Sequence, residues 1–328
     1  MTLIVGFITA FAVSALLGKL LIPALRALKA GQSIKEIGPT WHMSKQGTPT
    51  MGGLMFIGGM GVALLVAGWE LMRFGHVAHL LVFLFALVFG VIGFVDDYEK
   101  VKHHHNTGLT APQKFLLQLS ASIAFTVLLR YLGLLTPNLY IPFFGVELIL
   151  PWPVYMVFAA FVMVATVNAV NITDGVDGLA AGVTVPVALF YVAVAAWYGY
   201  AELGLFAAAL AGGLVAFLLF NFHPAKVFMG DTGSLFLGGA VCGMGFALNI
   251  PLIIPVIGII YVAEVLSDII QVGYFKLTHG KRIFRMAPLH HHLEMGGWSE
   301  VKLFCVFSMI TALMCALAFF GVMDRVGL

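Results

Sequence analysis

Residues 153–182 read PVYMVFAAFVMVATVNAVNITDGVDGLAAG. From Pro153 to Thr173 there is no charged residue, and about 20 apolar residues suffice for a helix to cross the hydrocarbon of a bilayer. The character then changes within a turn or two. Asn168, Asn171, Asp174 and Asp177 follow one another, and each aspartate precedes a glycine that lets backbone approach a ligand closely. Carboxylates and amides are costly in lipid unless paired, hydrated or used. A spanning helix that ends in such a loop therefore predicts a membrane protein with chemistry at one face.

Nine further segments qualify as spans, at approximately 2–27, 51–71, 77–96, 114–132, 179–198, 203–221, 233–250, 252–275 and 302–324. Hydrophobic residues make up 61% of the 328 and charged ones only 10%, where a soluble domain carries about 25%. The expected fold is an all-α polytopic membrane protein of about ten transmembrane helices, with residues 1–328 as a single domain. Cys242, Cys305 and Cys315 lie in apolar runs without the paired spacing of a disulfide framework or a zinc site. The first apolar run has no basic residue ahead of it and Arg26, Lys29 and Lys35 behind it. A cleavable signal has its positive charge first, so this run is expected to stay as a membrane helix.

Cationic residues set the orientation. Of 17 Lys and Arg, thirteen fall on one face: Arg26, Lys29, Lys35, Lys45, Lys100, Lys102, Lys114, Lys226, Lys276, Lys281, Arg282, Arg285 and Lys302. Arg73, Arg130 and Arg325 fall on the other, and Lys19 lies within the first span. Both termini are then external and five loops are cytoplasmic. Externally, TPNLYIPFFGVELIL (136–150) places Gly145 between two β-prone runs, the mark of a short hairpin.

The inner loops share an acidic character. The second opens with GFVDDYEKVK (93–102); Asp96 and Asp97 there need compensation, since helix C-termini disfavour negative charge, and Lys100, Lys102 and Lys114 are nearby candidates. In the fourth, Gly230-Asp231-Thr232-Gly233-Ser234 enters a helix whose first amides suit a phosphate. Asp231 would repel that phosphate unless a Mg²⁺ joined them. The fifth, GKRIFRMAPLHHHLEMGGWSE (280–300), sets a basic patch before His290, His291 and His292. Neighbouring residues diverge on a helix or a strand, so hydrogen bonding to phosphate suits these histidines better than one shared metal. His103, His104 and His105 lack such framing and read as a solvated loop. Glu264, Asp268 and Gln271 share one face of the ninth span and are expected to support the cleft.

GTPTMGG (47–53), VDD (95–97), NAVNITDGVDGLA (168–180), FNFHPAKVFMGDTGS (220–234) and MAPLHHHLE (286–294) together resemble the polyprenyl-phosphate N-acetylhexosamine-1-phosphate transferases. The APLHHHLE segment is similar to their phospho-N-acetylmuramoyl-pentapeptide branch. The resemblance implies UDP-N-acetylmuramoyl-pentapeptide as donor, undecaprenyl phosphate as acceptor, and lipid I and UMP as products. It further implies Mg²⁺, a multi-pass place in the bacterial inner membrane with the site on the cytoplasmic face, homodimers among membrane lipid, sensitivity to nucleoside antibiotics, and no nucleic-acid partner. Carried over residue by residue, it makes Asp96, Asp97 and Asp231 the key aspartates, with Asp231 the metal ligand and Lys114 and His290 catalytic. Asn171, Asp174, Asn221 and His290 match positions around the nucleotide and diphosphate. Lys45, Thr50, Gly175, Val176, Asp177 and Phe228 match the uridine pocket, and Gln271, His291 and His292 complete the substrate-binding set. The competing readings are a sister transferase for another UDP-N-acetylhexosamine and an anionic-solute transporter. The transporter predicts related halves and midplane charges, whereas no repeat appears and most functional candidates lie at one membrane face.

Overall fold

The computed structural model describes residues 1–28, 45, 47–103 and 108–325; Lys29, Lys35, His104 and His105 lie outside them. The elements in order are α1 (Thr2–Ala27), α2 (Gly53–Ala67), α3 (Trp69–Arg73), α4 (Ala78–His103), α5 (Ala111–Tyr131), β1 (Asn138–Ile141), β2 (Val146–Ile149), α6 (Trp152–Thr173), α7 (Leu179–Tyr198), α8 (Ala201–Asn221), α9 (Gly230–Ala247), α10 (Ile254–Ile257), α11 (Ile259–Leu277), α12 (Leu289–Glu294) and α13 (Glu300–Val322). The strands form the expected hairpin, antiparallel with Ile141 opposite Val146, and Gly145 takes the positive φ (+62°) of its turn.

Among the described residues, seven helices are long and apolar enough to cross a membrane, or eight if the bent pair at Pro251–Leu277 is one span. The ten expected segments all fall on helices, but three are not straight apolar spans. Helix α2 has 15 residues, about 22 Å at 1.5 Å per residue, and ends at Gly68. Over 252–275 the chain bends by 80° between Ile257 and Ile259. Pro251 and Pro255 lie before the break, and neither has an N–H to donate to a helical ladder. Helix α9 is short and glycine-rich, and it is sealed by protein: every residue from Thr232 to Phe246 is buried.

That central helix makes its most intimate contact with α4. A Cβ added at Gly93 would lie 2.0 Å from the carbonyl oxygen of Asp231 and 2.7 Å from the amide of Thr232, so only glycine admits this approach. Lipid offers no hydrophobic drive to bring helices together, and small residues that let backbones touch take its place.

The bundle has two distinct ends. At one, the Tyr140 hydroxyl donates to Gly321 O (3.3 Å), Tyr198 to Val322 O (2.8 Å), and Asn249 Nδ2 to Leu134 O (3.1 Å). Arg325 donates to the carbonyls of Leu248 and Asn249 there, and Leu3 packs on Gly204, so both chain ends share this side with the hairpin. The inner-loop carboxylates gather at the other.

With Cys242, Cys305 and Cys315 replaced by serine, single cysteines at Lys45, Lys102 and Lys281 are expected to react with an impermeant thiol reagent only from the cytoplasmic side. One at Glu147 is expected to react from outside. Labelling of the 281 position in intact cells would overturn the orientation.

Candidate active site

The last turns of α4 and the first turn of α9 meet in an acidic cluster. One carboxylate oxygen each from Asp96, Asp97 and Asp231 lie within 4.8 Å of one another. Like charges so close demand compensation, and two lysines supply it. Lys100 Nζ is 2.5 Å from Asp96 Oδ2 and 3.0 Å from Asp231 Oδ2. Lys114 Nζ, from the first turn of α5, is 2.7 Å from Asp231 Oδ2 and 4.0 Å from Asp96 Oδ2. Helix α5 begins there because Thr110 and Gln113 form a reciprocal capping box. Burial opposes a charge on Asp231, but the hydrogen bond with Asp96 and the ammonium groups of Lys114 and Lys100 outweigh it and hold the carboxyl well below the usual range.

The three aspartates differ in what their oxygens do. Asp97 Oδ1 accepts from the amide of Asp231 (3.2 Å), and Oδ2 accepts from the amide and hydroxyl of Thr232 (2.9 and 2.7 Å). A carboxylate at a helix N-terminus meets otherwise orphaned amides and the positive end of the dipole. Asp97 thus anchors α9, across a sequence separation of more than 130 residues. The phosphate-binding amides expected at 230–234 are therefore already engaged, since Gly233 N also bonds to Met229 O (3.3 Å). Gly230, at φ +69°, makes the turn, and an added Cβ would meet Asp97 Oδ2 and Thr50 Oγ1 at 2.5 and 2.6 Å. Asp96 accepts from the amide of Leu109 at Oδ1 (2.8 Å), while its Oδ2 faces the Lys100 ammonium. Asp231 Oδ1 accepts from Asn171 Nδ2 (2.8 Å), whose amide also reaches Ser234 Oγ (2.7 Å).

A second cluster lies beside the first. Lys45 Nζ sits 2.7 Å from Asp177 Oδ1 and 2.6 Å from Glu300 Oε2. His223 Nδ1 is 3.0 Å from Asp177 Oδ2. These residues, with Thr48, Glu294 and Trp298, line a cavity of about 610 Å³. Asn221 ties its walls together, accepting from Gly178 N (3.1 Å) and donating to Val227 O (2.9 Å). The backbone of Phe228 pairs with Pro49 and Gly52 (both 2.8 Å), and its side chain is half-buried beside this seam. Val176 is buried. Burial first, then the carboxylates of Asp231, Asp97 and Asp177, push Asp174 well above the usual range.

The fifth loop closes over Gly175, where an added Cβ would lie 2.1 Å from His290 Nε2. The histidines diverge as expected: His290 Nδ1 meets Glu264 Oε2 (2.9 Å), His291 Nδ1 meets Glu294 Oε2 (2.7 Å), and His292 Nδ1 accepts from Arg285 N (3.1 Å). Gln271 accepts from Ile283 N and Phe284 N (3.1 and 3.0 Å) and donates to Phe284 O (3.2 Å), which pins the loop. His103 is exposed, against Glu99 O (3.2 Å). Lys100, a candidate cation for the Asp96–Asp97 pair in the sequence, was not expected among the site residues, though it lies i+4 from Asp96 on one helix. Sequence reasoning missed His223 and Glu300 as partners of Asp177, which no local spacing signals.

The arrangement suits a polyanionic ligand held between cations and hard oxygen donors. Residues 79–249 match the model of glycosyl transferase family 4, and residues 45–57 match phospho-N-acetylmuramoyl-pentapeptide-transferase signature 1. The chain is 47% identical to the phospho-N-acetylmuramoyl-pentapeptide-transferase of Clostridium acetobutylicum over 320 residues, 97% of this chain and 98% of that one. The transferase of Acetivibrio thermocellus is 47% identical over 319 residues, covering 96% and 94%. That of Heliobacterium modesticaldum is 49% identical over 305 residues, covering 92% of each.

Because Asp97 anchors α9, Thr232→Ala should lower the thermal midpoint, by an amount equivalent to roughly 1–2 kcal/mol for lost hydrogen bonding, and turnover should fall with it. Asp96→Asn should lower turnover while leaving the midpoint nearly unchanged. Thermal unfolding followed beside UMP release separates the two, and equal midpoints for both variants would refute the anchor.

Proposed function

The chain belongs to the phospho-N-acetylmuramoyl-pentapeptide-transferase family, and from that premise we propose how its residues carry the reaction. It is a multi-pass enzyme of the bacterial cell membrane that acts in peptidoglycan synthesis. It moves phospho-N-acetylmuramoyl-pentapeptide from the UDP-linked donor to undecaprenyl phosphate, giving lipid I and UMP. The observation that carries the site assignment is the convergence of Asp96, Asp97, Asp231, Lys100 and Lys114 at one end of the bundle. In our reading residues 1–328 work as one transferase domain, in homodimers, with the site facing the cytoplasm.

The reaction exchanges one phosphoanhydride for another, so its demands are alignment and charge neutralisation. A divalent metal fits the acidic cluster. Its donors are hard carboxylate oxygens, one from each of three aspartates within 4.8 Å of one another. Asp231 would hold the ion, which we take to be Mg²⁺, while Asp97 is committed to the backbone of α9 and Asp96 faces the acceptor. When bound, the metal neutralises charge on the donor diphosphate. Lys114 and Lys100 answer the remaining charge, and His290 reaches the diphosphate from the fifth loop. Phe228 stacks on uracil beside Lys45, Thr50, Gly175, Val176 and Asp177. Asn171 steers Asp231, Asp174 and Asn221 shape the nucleotide side, and Gln271, His291 and His292 hold the loop above it.

Undecaprenyl phosphate enters from the bilayer near Asp96. One of its oxygens attacks the phosphorus attached to the sugar, the bond from that phosphorus to the bridging oxygen breaks, and UMP leaves with the electron pair. A phosphate monoester has its second pKa near 6, so the acceptor is largely dianionic at neutral pH. Asp96 therefore has little proton to remove, and positioning the acceptor is the larger part of its role. Purified protein given undecaprenyl phosphate and a panel of UDP-sugars should release UMP fastest with the muramoyl-pentapeptide donor. Equal release with another UDP-N-acetylhexosamine would favour the sister activity.

Asp231→Asn should weaken donor binding measured with Mg²⁺ and lower turnover by about 10²-fold or more, as loss of a key electrostatic stabiliser does. Asp96→Asn should leave donor binding nearly intact. Direct attack makes one more demand: wild-type enzyme with donor and Mg²⁺ but no acceptor should show no stoichiometric burst of UMP. A trapped aspartyl adduct able to pass its sugar phosphate to later-added acceptor would rule direct attack out.

A further inference from the structure

Glu264 lies in α11, beyond the 80° bend, and no water reaches it: its relative exposure is 0%. A carboxylate so buried is strongly destabilising unless its oxygens are engaged. Both are engaged by one residue. The amide of His290 donates to Oε1 (3.1 Å) and lies 3.3 Å from Oε2, and the imidazole Nδ1 lies 2.9 Å from Oε2. His290 is itself 1% exposed. Its other nitrogen, Nε2, is buried with no partner, seated over the glycine that follows Asp174. One ring nitrogen is thus fixed by a carboxylate, and the other is left unsatisfied on the side of the nucleotide loop.

We propose that Glu264 is a positioning residue for the transfer: it fixes Nδ1 as a donor to itself, so that Nε2 is the nitrogen presented to the donor diphosphate, and it balances the imidazolium that a diphosphate favours. This rests on the transferase reading above. A carboxylate behind a histidine sets its tautomer and ring orientation and raises its basicity. Around His290, Glu264 of α11 bonds to it, the His291 ring lies 4.2 Å from its ring and pairs with Glu294, Asp174 precedes the Gly175 on which it sits, and Asp268 lies one turn along α11 from Glu264. Of these, Glu264 alone bonds to both its ring and its backbone.

The test is Glu264→Gln in the full-length enzyme, assayed by UMP release across pH. Glutamine keeps the volume and an acceptor oxygen for the His290 amide but removes the charge. Turnover should fall about tenfold or more, the range seen when such an orienting partner is lost, with the donor KM changed far less. The alkaline limb of the pH profile should move to lower pH by about one unit, because the imidazolium loses its counter-charge. The same change made in a His290→Gln background should cost nothing further. A limb that stays in place, with activity lowered only in proportion to folded protein, would make Glu264 scaffolding and overturn the proposal. If Glu264→Gln does not fold, Glu264→Asp and His290→Gln decide. The first should keep the wild-type limb and the second should abolish it; a limb that persists in His290→Gln overturns the proposal. Failure of wild-type enzyme to release UMP from any UDP-sugar would instead sink the transferase reading.

Discussion

The site depends on a hydrogen-bonded junction between two membrane helices. The carboxylate of Asp97, at the cytoplasmic end of α4, accepts from the first amides of α9, while Gly93, one turn earlier, lets the backbones touch. In lipid an open helix terminus has no water to satisfy it, so this junction lets α9 begin where it does. Asp231 is consequently delivered to a fixed point opposite Asp96, with α5 supplying Lys114 from the side. The acidic cluster comes from elements distant in sequence, held in register by one side chain to which we assign no chemical step.

Charge within the cluster follows from that geometry. Three carboxylates face two ammonium groups, so the ensemble is one positive charge short of neutral when all are ionised. A divalent cation reverses that sign and leaves an excess positive charge suited to a diphosphate. Cations pairing with cluster carboxylates in the absence of ligand also lessen repulsion during folding, since like charges brought together in a low-dielectric setting are costly.

Much of this was legible in the sequence. Apolar run length located every long helix, and the clustering of Asp96, Asp97, Asp174, Asp177 and Asp231 at one end followed from where those runs stop. The bend near Gly258 was invisible, because PLIIPVIGII is apolar on both sides of it and hydropathy cannot register direction. The free amides expected at 230–234 were misread for a different reason. Whether a helix terminus is open depends on what caps it, and the cap here is a residue more than 130 positions away. Asn221 and Gln271 show the same limit: both were expected at substrate, and both have their amide groups bonded to loop backbone. The polar stripe containing Glu264 was legible as a cleft support, but its partner was not.

Helix α2 has a consequence for the surrounding lipid. Its apolar length of about 22 Å is well short of the ~30 Å of an average hydrocarbon core, and it is followed at once by the exposed Trp69 and the exposed Glu70–Arg73 pair, groups that favour the headgroup zone. Lipid that meets its exposed half, at Val62, Leu65 and Val66, compresses to match it, at a fraction of a kcal/mol per ångström of mismatch. Because Gly53, at the other end of α2, packs directly on Gly233 of α9, that compression bears on the helix that carries Asp231. Acyl-chain length thus becomes a mechanical variable of the enzyme, set by the host membrane rather than by any residue of the chain.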